Sequence, residues 1–154
     1  MSTPRRLLIV YHSQSGAGLR LARATLAGAL AEPDVDVQCL RCVDAGTAEL
    51  RQADGLVLIG AENFGALSGG LKNFLDRVFY PVLESEKALS YALIIAAGND
   101  GSGALTQIQR TLTALPWRCV ADPMIVRGMP SEHHRMAAQE LGATLAAGIA
   151  MGIF

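Results

Sequence analysis

At 154 residues, 51% hydrophobic and 18% charged, the chain has the length of one domain and enough apolar mass for a sizeable core. A formal net charge of −1, with Lys and Arg scattered along the chain, supplies no field for nucleic acid or an anionic membrane surface. Three cysteines leave an odd one over, and Cys39 and Cys42 fall in a strand pattern rather than at a helix start, so all three are read as reduced thiols.

In chain order, the basic start Met1 to Arg6 leads into an apolar run too short for a signal peptide, so the protein is expected to stay cytoplasmic. Leu7 to Tyr11 is the continuous apolar run of a strand buried on both faces, and Leu19, Ala22, Leu26 and Leu30 then recur at helical spacing. Val35, Val37 and Cys39 alternate with Asp36 and Gln38, as in an edge strand with one wetter face. Thr47 to Ala53 predicts a brief helix and Gly55 to Gly60 a third strand. Leu71, Phe74, Leu75, Val78 and Phe79 form a helical stripe that Pro81 is expected to end. Leu89 to Ala97 reads as a fourth, buried strand, and Leu105, Ile108, Leu112 and Leu115 as a helix. Arg118 to Val126 is a fifth strand whose Pro123 places it at an edge or a bulge, and Ser131-Glu132 opens the last helix. Leu141 to Phe154 is uncharged but falls short of the roughly 20 apolar residues a membrane span needs.

Strands alternating with helices predict an α/β fold: a three-layer α/β/α sandwich on a five-stranded parallel sheet in the order 2-1-3-4-5, with no internal repeat or linker. Ligands in such sheets bind outside the carboxyl ends of the strands, where the strand order reverses. Three loops at those ends are rich in glycine and small polar residues. The first, Ser13, Gln14, Ser15, Gly16, Ala17 and Gly18, offers backbone N–H groups and hydroxyls at the positive end of a helix. It has neither the Lys of a nucleoside-triphosphate loop nor dinucleotide-type glycine spacing, and a phosphate monoester fits it best. The second includes Glu62, Asn63, Phe64 and Gly65, and the third Gly98, Asn99, Asp100, Gly101 and Gly103. Together these two present a flat wall to a planar ligand.

On these motifs the whole chain resembles the flavodoxin-like superfamily, and within it the FMN-dependent NAD(P)H and quinone oxidoreductase branch. Ser13-Gln14-Ser15-Gly16-Ala17-Gly18 is similar to the family's hydroxyl-x-hydroxyl-Gly-x-Thr loop around the FMN phosphate. Gly60 to Arg77 resembles its flavin loop followed by Ser-Gly-x-x-Lys-x-Phe-Leu-Asp-Arg, and is the more specific of the two. Two positions depart from the pattern. Gly18 stands where the family commonly has Thr, which removes one charge-assisted hydrogen bond of roughly 1.5–3 kcal/mol and implies a modest FMN affinity. Ala61 stands where proline is frequent, which leaves that loop less constrained.

The resemblance implies FMN as cofactor, NAD(P)H as co-substrate, and a quinone or similar flat acceptor. No catalytic side chain is nominated, because flavin N5 itself takes and returns hydride. Phe64 is a contact candidate near the isoalloxazine edge, and His12 a secondary candidate beside the phosphate loop. Lys72 and Asp76, four apart, are assigned to a surface pair. His133 and His134 are expected to be solvated, and no metal-ligand spacing occurs. Two other readings stand beside this one: a flavodoxin-type electron carrier without nicotinamide activity, and a flavin-free binding or regulatory module. The apolar end Gly148 to Phe154 suits a self-association face as well as a core helix, so a homodimer is one expectation.

Overall fold

The structure, a computed structural model, describes residues 3–154. Strand β1 (Arg5–Tyr11) holds Leu7, Leu8, Ile9 and Val10 at 2% exposure or less, because successive side chains reach helices on opposite faces of the sheet. It is flanked in parallel by β2 (Val35–Arg41) at one edge and β3 (Gly55–Asn63) on the other side. Beyond β3 lies β5 (Leu89–Ala97), buried along its whole length. Helices α1 (Ala17–Ala29) and α5 (Glu132–Ala150) cover one face. Helices α2 (Thr47–Gln52), α3 (Gly69–Ser85) and α4 (Ser102–Leu112) cover the other. Among the described residues, no helix is long and apolar enough to cross a membrane.

The expected order 2-1-3-4-5 is present, with two additions. A two-residue strand β4 (Ala66–Leu67) folds back antiparallel on the end of β3. The predicted fifth strand, Arg118 to Val126, is broken into β6 (Trp117–Cys119) and β7 (Met124–Arg127), both parallel to β5. Cys119 pairs with Tyr91 and Met124 with Ile94, so residues 120–123 stand opposite residues 92 and 93 only. The missing N–H of Pro123 explains the break. The insertion of two extra residues keeps the alternation in phase, so Val126 is buried on the α1/α5 face while Ile125 packs on the α3/α4 face.

Pro81 does not end its helix: α3 continues to Ser85. Proline removes only the N–H that would have reached the Arg77 carbonyl, and Val82, 4% exposed, holds the following turn against the core. The stop comes at Glu86, whose left-handed φ of 53° cannot be helical. At the other end of the chain, α5 stops at Ala150 and Phe154 folds back onto Gly148, where a Cβ would meet the Phe154 ring at 2.2 Å.

Candidate functional site

Beyond β1, the His12 N–H still donates to the Ile59 carbonyl at 2.9 Å, after which the chain leaves the sheet. Gly16, at φ 97°, caps α1 with no side-chain hydrogen bond, and the first turn of that helix carries no acid. The first helical bond runs from the Arg20 N–H to the Gly16 carbonyl at 3.1 Å. The N–H groups from Ser13 to Leu19 find no acceptor among the described residues. Row upon row of free donors at the positive end of a 13-residue helix is a seat for an anion.

Gly18 is fixed there by packing. A Cβ on it would lie 2.2 Å from the His12 carbonyl oxygen, so the exit of β1 and the first turn of α1 are in backbone contact and no Thr fits. The half-buried His12 ring lies against α3, with its Nδ1 2.1 Å from where a Gly70 Cβ would stand.

The second loop is a hairpin. Glu62 pairs with Leu67 and Asn63 with Ala66 across a two-residue turn, Phe64-Gly65, in which both φ angles are positive (52° and 75°). Five hydrogen bonds hold it in place. Asn63 Nδ2 donates to Gln14 Oε1 at 2.7 Å, linking it to the first loop. The Leu67 N–H donates to Gln107 Oε1 of α4 at 2.8 Å, and the buried Ser68 hydroxyl accepts from the Ala61 N–H at 3.2 Å. Glu62 Oε2 accepts from the Gly103 and Ala104 N–H groups at 2.9 and 3.2 Å, which ties the hairpin to the start of α4. A Cβ on Gly103 would sit 1.9 Å from the Gly65 carbonyl oxygen, so only glycine allows this approach. Phe64, at the tip, is wholly exposed.

In the third loop, Asp100 Oδ1 accepts from the Ser102 N–H at 3.0 Å and the Ser102 hydroxyl at 2.8 Å. These bonds hold its carboxyl below the usual aspartate range, with a smaller contribution from the charge of Arg127. Gly101 (φ 71°) lies against Ile125, whose Cγ2 would be 3.0 Å from a Cβ there. Between the second and third loops opens a cavity of about 660 Å³ lined by Glu62, Gly65, Gly98, Asn99, Asp100, Ser102, Gly103 and Arg127. A larger cavity, about 890 Å³, lies at the opposite, amino edge of the strands, where Arg5 pairs with Asp54 and Arg6 with Gln52. It is remote from the three loops.

The three predicted loops thus come together at one edge of the sheet. Ser102, Gln107 and Arg127 join them without having been singled out in the sequence. The signal for Arg127 is its place before Gly128 at the end of a strand; Gln107 carries none, since an exposed-face Gln on a helix is ordinary.

Residues 41–128 match the family model described as NADPH-dependent FMN reductase, more than half of the chain. The chain belongs to that family. It is therefore an FMN-binding flavoprotein of oxidoreductase type. No curated protein sequence matches the chain. Among solved structures, a flavodoxin from the domain Archaea superposes with a TM-score of 0.82 at 21% identity, covering 94% of this chain and 98% of that one. A flavodoxin, WrbA-like protein from Agrobacterium tumefaciens gives 0.77 at 18% identity over 96% and 98%. A flavodiiron core from Synechocystis gives 0.83 at 14% identity, covering 97% of this chain but 37% of the other. At these identities the likeness is one of fold.

The remaining parts of the FMN reductase motif after the hairpin are structural. Lys72 Nζ pairs with Asp76 Oδ1 at 2.5 Å on the surface of α3. Arg77 donates to the carbonyls of Ala45 (3.0 Å) and Cys42 (2.7 Å), fixing the connection that follows β2. All three cysteines are free, and burial pushes the Cys42 thiol up to about 12, away from redox reactivity. His133 and His134 open α5 at the surface. His133 is exposed, and the half-buried His134 Nδ1 accepts from the N–H of the N-cap residue Ser131 at 3.1 Å, one half of a capping box.

Proposed function

We propose that this FMN reductase accepts hydride from NADH or NADPH and passes electrons to a quinone or similar flat acceptor. The FMN phosphate would be held by the free N–H groups and hydroxyls of Ser13 to Gly18, and the ring between the Glu62 to Gly65 hairpin and the Gly98 to Gly103 loop. Bound there, FMN supplies hydride transfer at N5. The chain's own part is positional. Glu62 braces the hairpin against α4, Asn63 braces it against Gln14, and the glycines of the third loop keep the wall thin.

The observation that carries this reading is the bareness of the slot. No aromatic side chain lies between Gly98 and Gly103, and Phe64 stands free in solvent rather than over the cavity, which leaves room for a second flat molecule to stack. The near-neutral charge also lacks the acidic docking face expected of a dedicated electron carrier. The test is anaerobic mixing of the FMN-loaded protein with NADPH or NADH, with no other reductase present. The expected result is loss of the oxidised-flavin absorbance and its return on adding a soluble quinone. A flavin that neither nucleotide reduces would leave the electron carrier in its place. We infer further that the exposed Met151 and Ile153 pair in a homodimer, with twice the chain mass in light scattering as the expected outcome.

A further inference from the structure

Arg127 is the last residue of β7, paired with Ala97 on the final rung before the third loop, and the Gly128 N–H pins its backbone to the Ala97 carbonyl at 2.8 Å. It shares its side of the sheet with Ile125, which packs under Gly101, so strand alternation sends its side chain toward the start of α4 and the 660 Å³ cavity that it lines. The two carboxylates on the same wall are already engaged: Glu62 on the Gly103 and Ala104 N–H groups, Asp100 on Ser102. Among the described residues, no carboxylate oxygen lies within 4.0 Å of the exposed Arg127 guanidinium and none accepts a hydrogen bond from it.

The cation is also in the wrong place for the FMN phosphate. From β1 the sheet runs through β3 and β5 to β7, three strand spacings or about 14 Å, so an anion seated at Ser13 to Gly18 is out of its reach. A planar guanidinium with free donors matches a phosphate group through paired hydrogen bonds. We propose that Arg127 is the specificity residue for the electron donor, binding a phosphate of the nicotinamide dinucleotide whose ring stacks in the cavity. This inference rests on the nicotinamide-dependent function proposed above and adds the residue that recognises the donor.

The test compares wild type, Arg127→Ala and Arg127→Lys, each loaded with FMN. Calorimetric titration with NADP⁺ and NAD⁺ gives the affinity directly, independent of turnover. Arg127→Ala is expected to weaken binding about 10-fold or more, the scale of a charge-assisted hydrogen bond, with a flatter salt dependence, and Arg127→Lys to recover part of the loss. Loss for NADP⁺ alone assigns the contact to the 2′-phosphate; equal loss for both nucleotides assigns it to the pyrophosphate. As a second readout, the flavin is reduced with a dihydronicotinamide bearing a benzyl group in place of the dinucleotide. The ratio of NADPH to benzyl-reagent rates should fall about 10-fold in Arg127→Ala. Unchanged nucleotide affinity, or equal losses with both reductants, would overturn the inference while leaving the proposed function intact. A wild-type protein that neither binds nor is reduced by any nicotinamide would instead overturn the proposed function, and this inference with it.

Discussion

At the β1–α1 junction the N–H groups from Ser13 to Leu19 find no acceptor among the described residues, whereas at β5–α4 the corresponding groups of Ser102, Gly103 and Ala104 are taken up by Asp100 and Glu62. Both junctions join a buried strand to a helix through glycines, and both helices begin after a left-handed glycine, Gly16 or Gly101. What separates them is whether the protein brings its own anion. The first is left open for a phosphate. The second is closed by carboxylates and serves as a rigid wall, tied to the hairpin that faces it.

The contrast can be broken most severely at Gly18. Gly18→Ala would force a Cβ to 2.2 Å from the His12 carbonyl oxygen, so the open loop must shift. We expect a loss of about 2–3 kcal/mol in urea unfolding and a collapse of FMN binding. Glu62→Ala acts on the other side of the comparison. It strips the acceptor from the Gly103 and Ala104 N–H groups and leaves only the Ser102 N–H held, by Asp100, at the second helix start. A cost of about 1–2 kcal/mol in unfolding is expected, with FMN binding weakened less than by the Gly18 change. An unaltered unfolding midpoint would mean that the carboxylate braces nothing.

The smallest effect concerns Asp100. Because its hydrogen bonds from Ser102 depress its folded value, whatever it stabilises is fully present above the ordinary aspartate range of about 3.9 and is lost as pH falls through the lower folded value. An NMR titration of the Asp100 carboxyl should therefore show a midpoint below that range in wild type, returning toward it in Ser102→Ala.

Most of the fold was legible because its signals are local. The apolar runs Leu7–Val10 and Leu89–Ala97 announce strands buried on both faces, and the stripe from Leu71 to Val78 announces a helix. Pro81 misled because its effect depends on what the next turn buries, and Val82 is buried. Pro123 indicated a bulge, but the two extra residues that split the fifth strand show only in its pairing with β5. Of the site, the three loops could be read from glycine spacing and strand ends. The roles within them could not. Glu62 and Asp100 look alike in sequence to any acid beside a ligand, yet both cap α4, and Gly18 looks like a lost Thr although contact with the His12 carbonyl demands it.

The difference between the open and closed junctions is tested most directly by titrating the flavin-stripped protein with FMN and with riboflavin, following quenching of flavin fluorescence. FMN is expected to bind and riboflavin to bind more weakly by about 10-fold or more, since only FMN brings the phosphate that the Ser13 to Leu19 donors lack. Equal affinity for the two would contradict it, because the open helix start would then have no part in holding the cofactor.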